Sequence, residues 1–206
     1  MSAPDSFVHR FLPGSTGGTL LVLHGTGGDE NDLLPLAREV APGAHLLAPR
    51  GRVLEHGMPR FFRRLAVGVF DEADLRLRAG ELAGFLGEAA SRYGFDPLRV
   101  QALGYSNGAN MAAALLLLHP EALAGAVLWR AVEPLVPETP PRLAGKPVLL
   151  AAGRRDPYAP AARVEALVQR LRSAGADVEL TWSDAGHGLE PAELAAAGEW
   201  LARHPP

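Results

Sequence analysis

From residue 19 onward, short apolar runs alternate with longer segments whose apolar positions recur at helical spacing. The runs predict strands at 19–24 (TLLVLH), 45–48 (HLLA), 99–104 (RVQALG), 125–129 (GAVLW), 147–152 (PVLLAA) and 176–182 (ADVELTW). Several are apolar throughout, which is how strands covered on both faces read. Helices are predicted at 30–40, 74–93, 107–118, 160–174 and 191–203, with Pro160 and Pro191 suited to helix starts and Gly175 to the position just past a helix end. This alternation specifies an α/β fold with a mainly parallel, doubly wound sheet and helices on both faces. Ligands in such folds bind beyond the carboxyl ends of the strands. Residues 49–73 carry no clear element, and a loop of about 25 residues is long for a compact domain, so this segment is a candidate binding loop.

The composition fits this picture. With 206 residues, 48% of them hydrophobic, the chain is expected to form one domain, 1–206, around one core. A net charge of −3 without long like-charge runs leaves no electrostatic footprint for nucleic acid. The run LLLL at 115–118 is far below the roughly 20 residues of a membrane span, and MSAPDSFVHRFLPG lacks the pattern of a secretory leader. The expectation is a cytoplasmic protein without stable membrane insertion. The chain has no cysteine, so any covalent catalyst must be another residue.

The stretch GYSNG at 104–108 matches G-x-S-x-G and lies between a predicted strand and a predicted helix, where that motif has a mechanical meaning. The reversal is so tight that side chains two positions before and after the serine would collide, and glycines relieve this. Ser106 would then project its hydroxyl at a helix N-terminus. From the glycine and serine content, about 0.09 accidental matches are expected in a chain of this length, before any demand on context.

A serine hydroxyl needs a base to take its proton, and the base needs a carboxylate to orient it. In the usual chain order of this architecture the acid follows the serine and the histidine comes last. GRRDPYAP, after the fifth strand, offers Asp156, which could instead cap a turn. SDAGHGLEP, after the last strand, offers His187 between glycines. Asp184 shares the His187 loop and would have to fold back sharply, while His9, His56, His119 and His204 do not follow strands of the right order. Donors for an oxyanion are expected from the backbone N–H of Asn107 and, in the loop HGTGGD after the first strand, of Thr26. That loop lacks the lysine of a phosphate-binding P-loop and the spacing of a dinucleotide fingerprint, and His24 reads as its structural brace.

HGTGGDEND, APRG, GYSNGAN, AGRRDPYAP and DAGHG, in this order, resemble the phospholipase/carboxylesterase group of α/β-hydrolases, over about residues 19–200. More distantly the chain is similar to dienelactone hydrolases, which use a cysteine that this chain lacks. The resemblance implies Ser106 as nucleophile, Asp156 as acid, His187 as base and Thr26 and Asn107 as oxyanion donors, with no cofactor and no metal. It implies a carboxylesterase-type serine hydrolase acting on a small-molecule ester or thioester. Many members have glutamine where this chain has Asn107. In the family the segment equivalent to 49–73 borders the substrate groove, so Arg50, Met58, Phe61, Phe62 and Arg63 are the expected substrate contacts, the arginines as carboxylate binders. Those arginines could equally pair with Asp71, Glu72 and Asp74 or be solvated, and the neighbours of Arg130 do not decide its role. A chain this short leaves little for a lid, so the site should be open. A lactone or dienelactone-like hydrolase and a catalytically silent binding protein are the alternatives. Family analogy allows a homodimer.

Overall fold

The computed structural model describes residues 7–206; the first six, part of the stretch read for a leader, lie outside the described residues. In chain order the elements are β1 (His9–Leu12), β2 (Thr19–Leu23), α1 (Leu34–Val40) and β3 (His45–Pro49), then two hairpins, β4 (Val53–Glu55) with β5 (Met58–Arg60) and β6 (Arg64–Ala66) with β7 (Val69–Phe70). They continue with α2 (Glu72–Tyr93), β8 (Val100–Tyr105), α3 (Asn107–Leu118), β9 (Gly125–Trp129), β10 (Pro147–Gly153), α4 (Ala161–Ser173), β11 (Asp177–Ser183) and α5 (Pro191–Arg203). Seven strands form one sheet in the order β1-β3-β2-β8-β9-β10-β11; β1 runs antiparallel to β3 and every other neighbour is parallel.

The uniformly apolar strands do lie between two helical layers. Along β2, Leu20 and Val22 join the core shared with α1 and α5, whereas Leu21 and Leu23 join the core shared with α2, α3 and α4. In a strand successive side chains face opposite sides, so a segment buried on both must be apolar at every position. Helix α3 is the extreme case, buried at every residue from Asn107 to Leu117, and accordingly apolar all round past its first turn. No helix among the described residues is long and apolar enough to cross a membrane.

The expected strands and helices are present with ends moved by at most two residues, save one. Helix α1 begins at Leu34 rather than residue 30, because Pro35 has no N–H to donate and its ring would clash with the preceding turn. Two features go beyond the sequence pattern. Strand β1 supplies the antiparallel edge, and residues 49–73 are not a featureless loop but carry both hairpins. The first hairpin turns on His56 and Gly57, both at positive φ (51° and 81°), the turn geometry that matches strand twist.

Candidate active site

The elements above bring the carboxyl ends of six parallel strands to one edge of the sheet. Ser106 follows the central strand β8 and occupies the N-cap of α3 with φ 53° and ψ −113°. This left-handed backbone is unusual for a non-glycine residue and costs about 1–3 kcal/mol, which the surrounding structure must hold in place. The Ser106 N–H donates to Trp129 O at 2.9 Å, tying the turn to β9. The glycines have the expected reason. A Cβ at Gly104 would lie 2.7 Å from the Ala109 Cα, and one at Gly108 would lie 2.1 Å from Leu23 O.

His187, in the loop after β11, has Nε2 2.8 Å from Ser106 Oγ, and its Nδ1 is 2.7 Å from Asp156 Oδ2. Asp156 lies just beyond β10 with its side chain wholly buried. Its other oxygen, Oδ1, accepts from the Tyr158 N–H at 2.8 Å, so the turn-capping role and the contact with histidine coexist in one carboxylate. Because that carboxylate can only accept, Nδ1 of His187 carries the proton and Nε2 is left to accept from the serine hydroxyl. Asp184 points elsewhere, exposed and 3.8 Å from Arg154.

Loop 24–29 lies beside this row. Gly51 N–H donates to His24 Nε2 at 2.9 Å, which leaves Nδ1 to donate to Gly25 O at 2.6 Å. Burial pushes the His24 pKa below its ordinary value, so the imidazole is a neutral brace between two loops. Arg60 Nη1 donates to Thr26 Oγ1 at 2.6 Å, and Gly27 N–H donates to Pro59 O at 2.9 Å, fastening the loop to β5. The Asn107 side chain fastens the same region from the helix side, its Oδ1 accepting from the Phe61 N–H at 2.7 Å.

A cleft of about 350 Å³ opens over Ser106 and His187. The residues expected to line it from residues 49–73 lie elsewhere. Arg50 forms a two-pronged ion pair with Glu30. Arg63 pairs with Asp71 at 2.9 Å, near the start of α2. Met58 lies exposed beside Gly27, and Phe61 and Phe62 are buried in the core against His24 and Phe70. Removing two phenyl rings from water stabilises by about 1.5–3 kcal/mol each, which decides their direction. The cleft walls are instead Arg60, Arg64, Val67, Gly68 and Phe70 from the hairpins, with Tyr105, Asn110, Arg130 and Tyr158. Arg60 and Arg64 share one carboxylate, Glu55, at 3.1 and 2.9 Å. Gly57 and Gly68, each in a two-residue turn, are the signal in the sequence that could have revealed the hairpins and hence these walls.

Arg130, directly after β9, is fully buried with φ 60° and pairs with Glu193 of α5 at 2.6 and 2.7 Å. Burial raises the Glu193 carboxyl, but donation from Arg130 and from the Glu190 N–H outweighs it and holds the group below its ordinary value.

Similar proteins have this architecture. The dienelactone hydrolase family matches residues 81–196. MhqD of Bacillus subtilis (strain 168) is 48% identical over 192 residues, covering 93% of this chain and 96% of that protein. A carboxylesterase structure from Bacillus cereus is 49% identical with a TM-score of 0.92, covering 94% of this chain and 92% of its own. YahD, solved with malic acid, is 30% identical with a TM-score of 0.90, covering 94% of this chain and 97% of its own. The chain therefore belongs to the dienelactone hydrolase family, as an esterase-type hydrolase with the α/β-hydrolase fold.

Proposed function

We propose that the protein is a serine hydrolase of carboxylic esters or thioesters. The observation that carries this reading is the continuous hydrogen-bonded row from Ser106 Oγ through His187 to Asp156, at 2.8 and 2.7 Å. Ser106 Oγ attacks the ester carbonyl while His187 Nε2 takes its proton, and the Asp156 carboxylate steadies the imidazolium that forms. The carbonyl oxygen becomes an oxyanion facing the N–H groups of Thr26 and Asn107. The latter is one of the first donors of α3, left without an intrahelical partner. Collapse returns the proton from Nε2 to the departing alcohol or thiol and leaves an acyl-Ser106. Water, deprotonated by the same nitrogen, then releases the acid. The family's cysteine nucleophile has no counterpart here, because the chain has no cysteine.

A fluorophosphonate probe tests the reading against a silent binder on the same fold. One adduct per chain, mapped to Ser106, is expected; folded protein that stays unlabelled favours the binder.

A second observation narrows the substrate. Arg60 and Arg64 bring two positive charges to the cleft against the single negative charge of Glu55, and the similar YahD was solved with malic acid, a dicarboxylic acid. Esters or lactones bearing a carboxylate suit this surplus. A hydrogen bond to a charged group is worth about 1.5–3 kcal/mol. Arg64→Ala is therefore expected to lower kcat/KM for a monoester of succinate by about 10-fold or more and leave a neutral acetate ester unchanged. Equal effects on both esters would remove the anion preference.

A further inference from the structure

The base of the proposed machinery comes from the wrong end of the sheet. His187 rides on the loop after β11, the outermost strand, while Ser106 follows β8, three strands inward. At about 4.8 Å per strand the loop must deliver its imidazole across roughly 14 Å. Glycines flank His187 on both sides, so the adjoining residues have no side chains to pack and the backbone there is intrinsically free. The Tyr105 and Tyr158 rings pack on the imidazole itself, and the free backbone beneath it still has to be held for Nε2 to stay at 2.8 Å from the serine.

The carbonyls of the loop show what does. Arg130 Nε donates to Gly186 O at 3.0 Å, and Arg130 Nη2 donates to Gly188 O. Between them, Tyr105 O–H donates to His187 O at 2.9 Å. Three consecutive carbonyls centred on the base are thus held by side chains from the ends of β8 and β9. The same guanidinium donates to Ala151 O on β10 and grips Glu193 with both arms. Glu193 in turn accepts from Glu190 N–H at 2.8 Å and from Ser183 Oγ at 3.2 Å, which joins the clamp to the start of α5 and the end of β11. Arg130 keeps a left-handed backbone to aim its side chain there.

Resting on the serine-hydrolase reading, we infer that Arg130, braced by Glu193, is a positioning residue that sets the imidazole of His187 against Ser106. Its donors go to backbone carbonyls and to Glu193, so it acts on the base through the loop that carries it. Only a fork suits this position, because a planar guanidinium reaches three carbonyls and a carboxylate at once, whereas a lysine ammonium on a flexible stem cannot hold all four.

A purely structural ion pair is the competing account, and it makes a different forecast. Replacing both members of a buried pair by apolar residues is often neutral for stability, because no charge is left orphaned. If the pair only supports the fold, Arg130→Met with Glu193→Leu restores both folding and turnover. If Arg130 positions His187, the double variant folds and remains slow. The experiment measures melting temperature, kcat and KM for p-nitrophenyl acetate, and the low-field proton resonance of the His187 Nδ1–H to Asp156 hydrogen bond. Arg130→Lys, which keeps a charge opposite Glu193, is run beside it. A misplacement of about 1 Å costs on the order of 100-fold. The expected result for both variants is therefore a 10- to 100-fold fall in kcat, KM within about twofold, and a broadened or missing resonance. Wild-type kcat with an unchanged resonance in either folded variant overturns the inference. A wild-type protein without Ser106-dependent turnover defeats the serine-hydrolase reading instead, so the two failures are distinct.

Discussion

Ser106→Ala is expected to slow hydrolysis of p-nitrophenyl acetate by about 10⁶-fold while leaving the melting temperature within a few degrees of wild type. In the proposed mechanism turnover needs the Oγ as nucleophile, and nothing else in the row can replace it, since the chain has no cysteine and His187 has its Nδ1 committed to Asp156. The residual rate would reflect the oxyanion donors and binding alone. Stability should hardly move, because alanine meets the same left-handed backbone cost at φ 53° as serine does, and only the hydroxyl contact with His187 is lost. Steady-state kinetics and a thermal melt on the purified variant suffice to check this. Wild-type turnover would move the chemistry to another group.

Asp156→Asn is the second large effect, about 10⁴-fold in kcat at neutral pH. The size follows from which way the amide must turn. Oδ1 of Asp156 accepts from the Tyr158 N–H, so the asparagine carbonyl oxygen belongs there. The NH₂ then faces His187 Nδ1, where the carboxylate accepted before. Two donors cannot face each other, so Nδ1 gives up its proton and Nε2 holds it. An Nε2–H cannot take the proton of Ser106. Kinetics from pH 6 to 10 should show the deficit shrinking as hydroxide supplants the missing base; a variant within tenfold of wild type at pH 7 would contradict the assignment of Asp156.

The chemistry is more legible in the sequence than its surroundings. Ser106, Asp156 and His187 each follow a strand by a few residues, and parallel strands carry their carboxyl ends to one edge, so local pattern alone places them together. The cleft walls escape because they rest on strands of two or three residues, too short for periodicity to register. Composition misleads there as well. Phe61 and Phe62 read as substrate contacts and are core residues, since a phenyl ring beside a cleft gains more by turning inward. Arg50 and Arg63 read as carboxylate binders and are taken up by Glu30 and Asp71. Residue type announces that an arginine wants an anion, not which one it finds. The partner of Arg130 lies 63 positions along the chain, and only the folded sheet brings Glu193 to it.

The two hairpins make no ladder with the seven-stranded sheet, whereas the serine sits on a helix buried along nearly its whole length. Reactivity and recognition therefore rest on supports of unequal rigidity. Substitutions toward the tip of the second hairpin, at Arg64, Val67 or Gly68, change the shape and charge of the cleft without touching the strand ends that space Ser106, His187 and Asp156. What the cleft admits is thereby set on a different support from the row of hydrogen-bonded side chains beneath it.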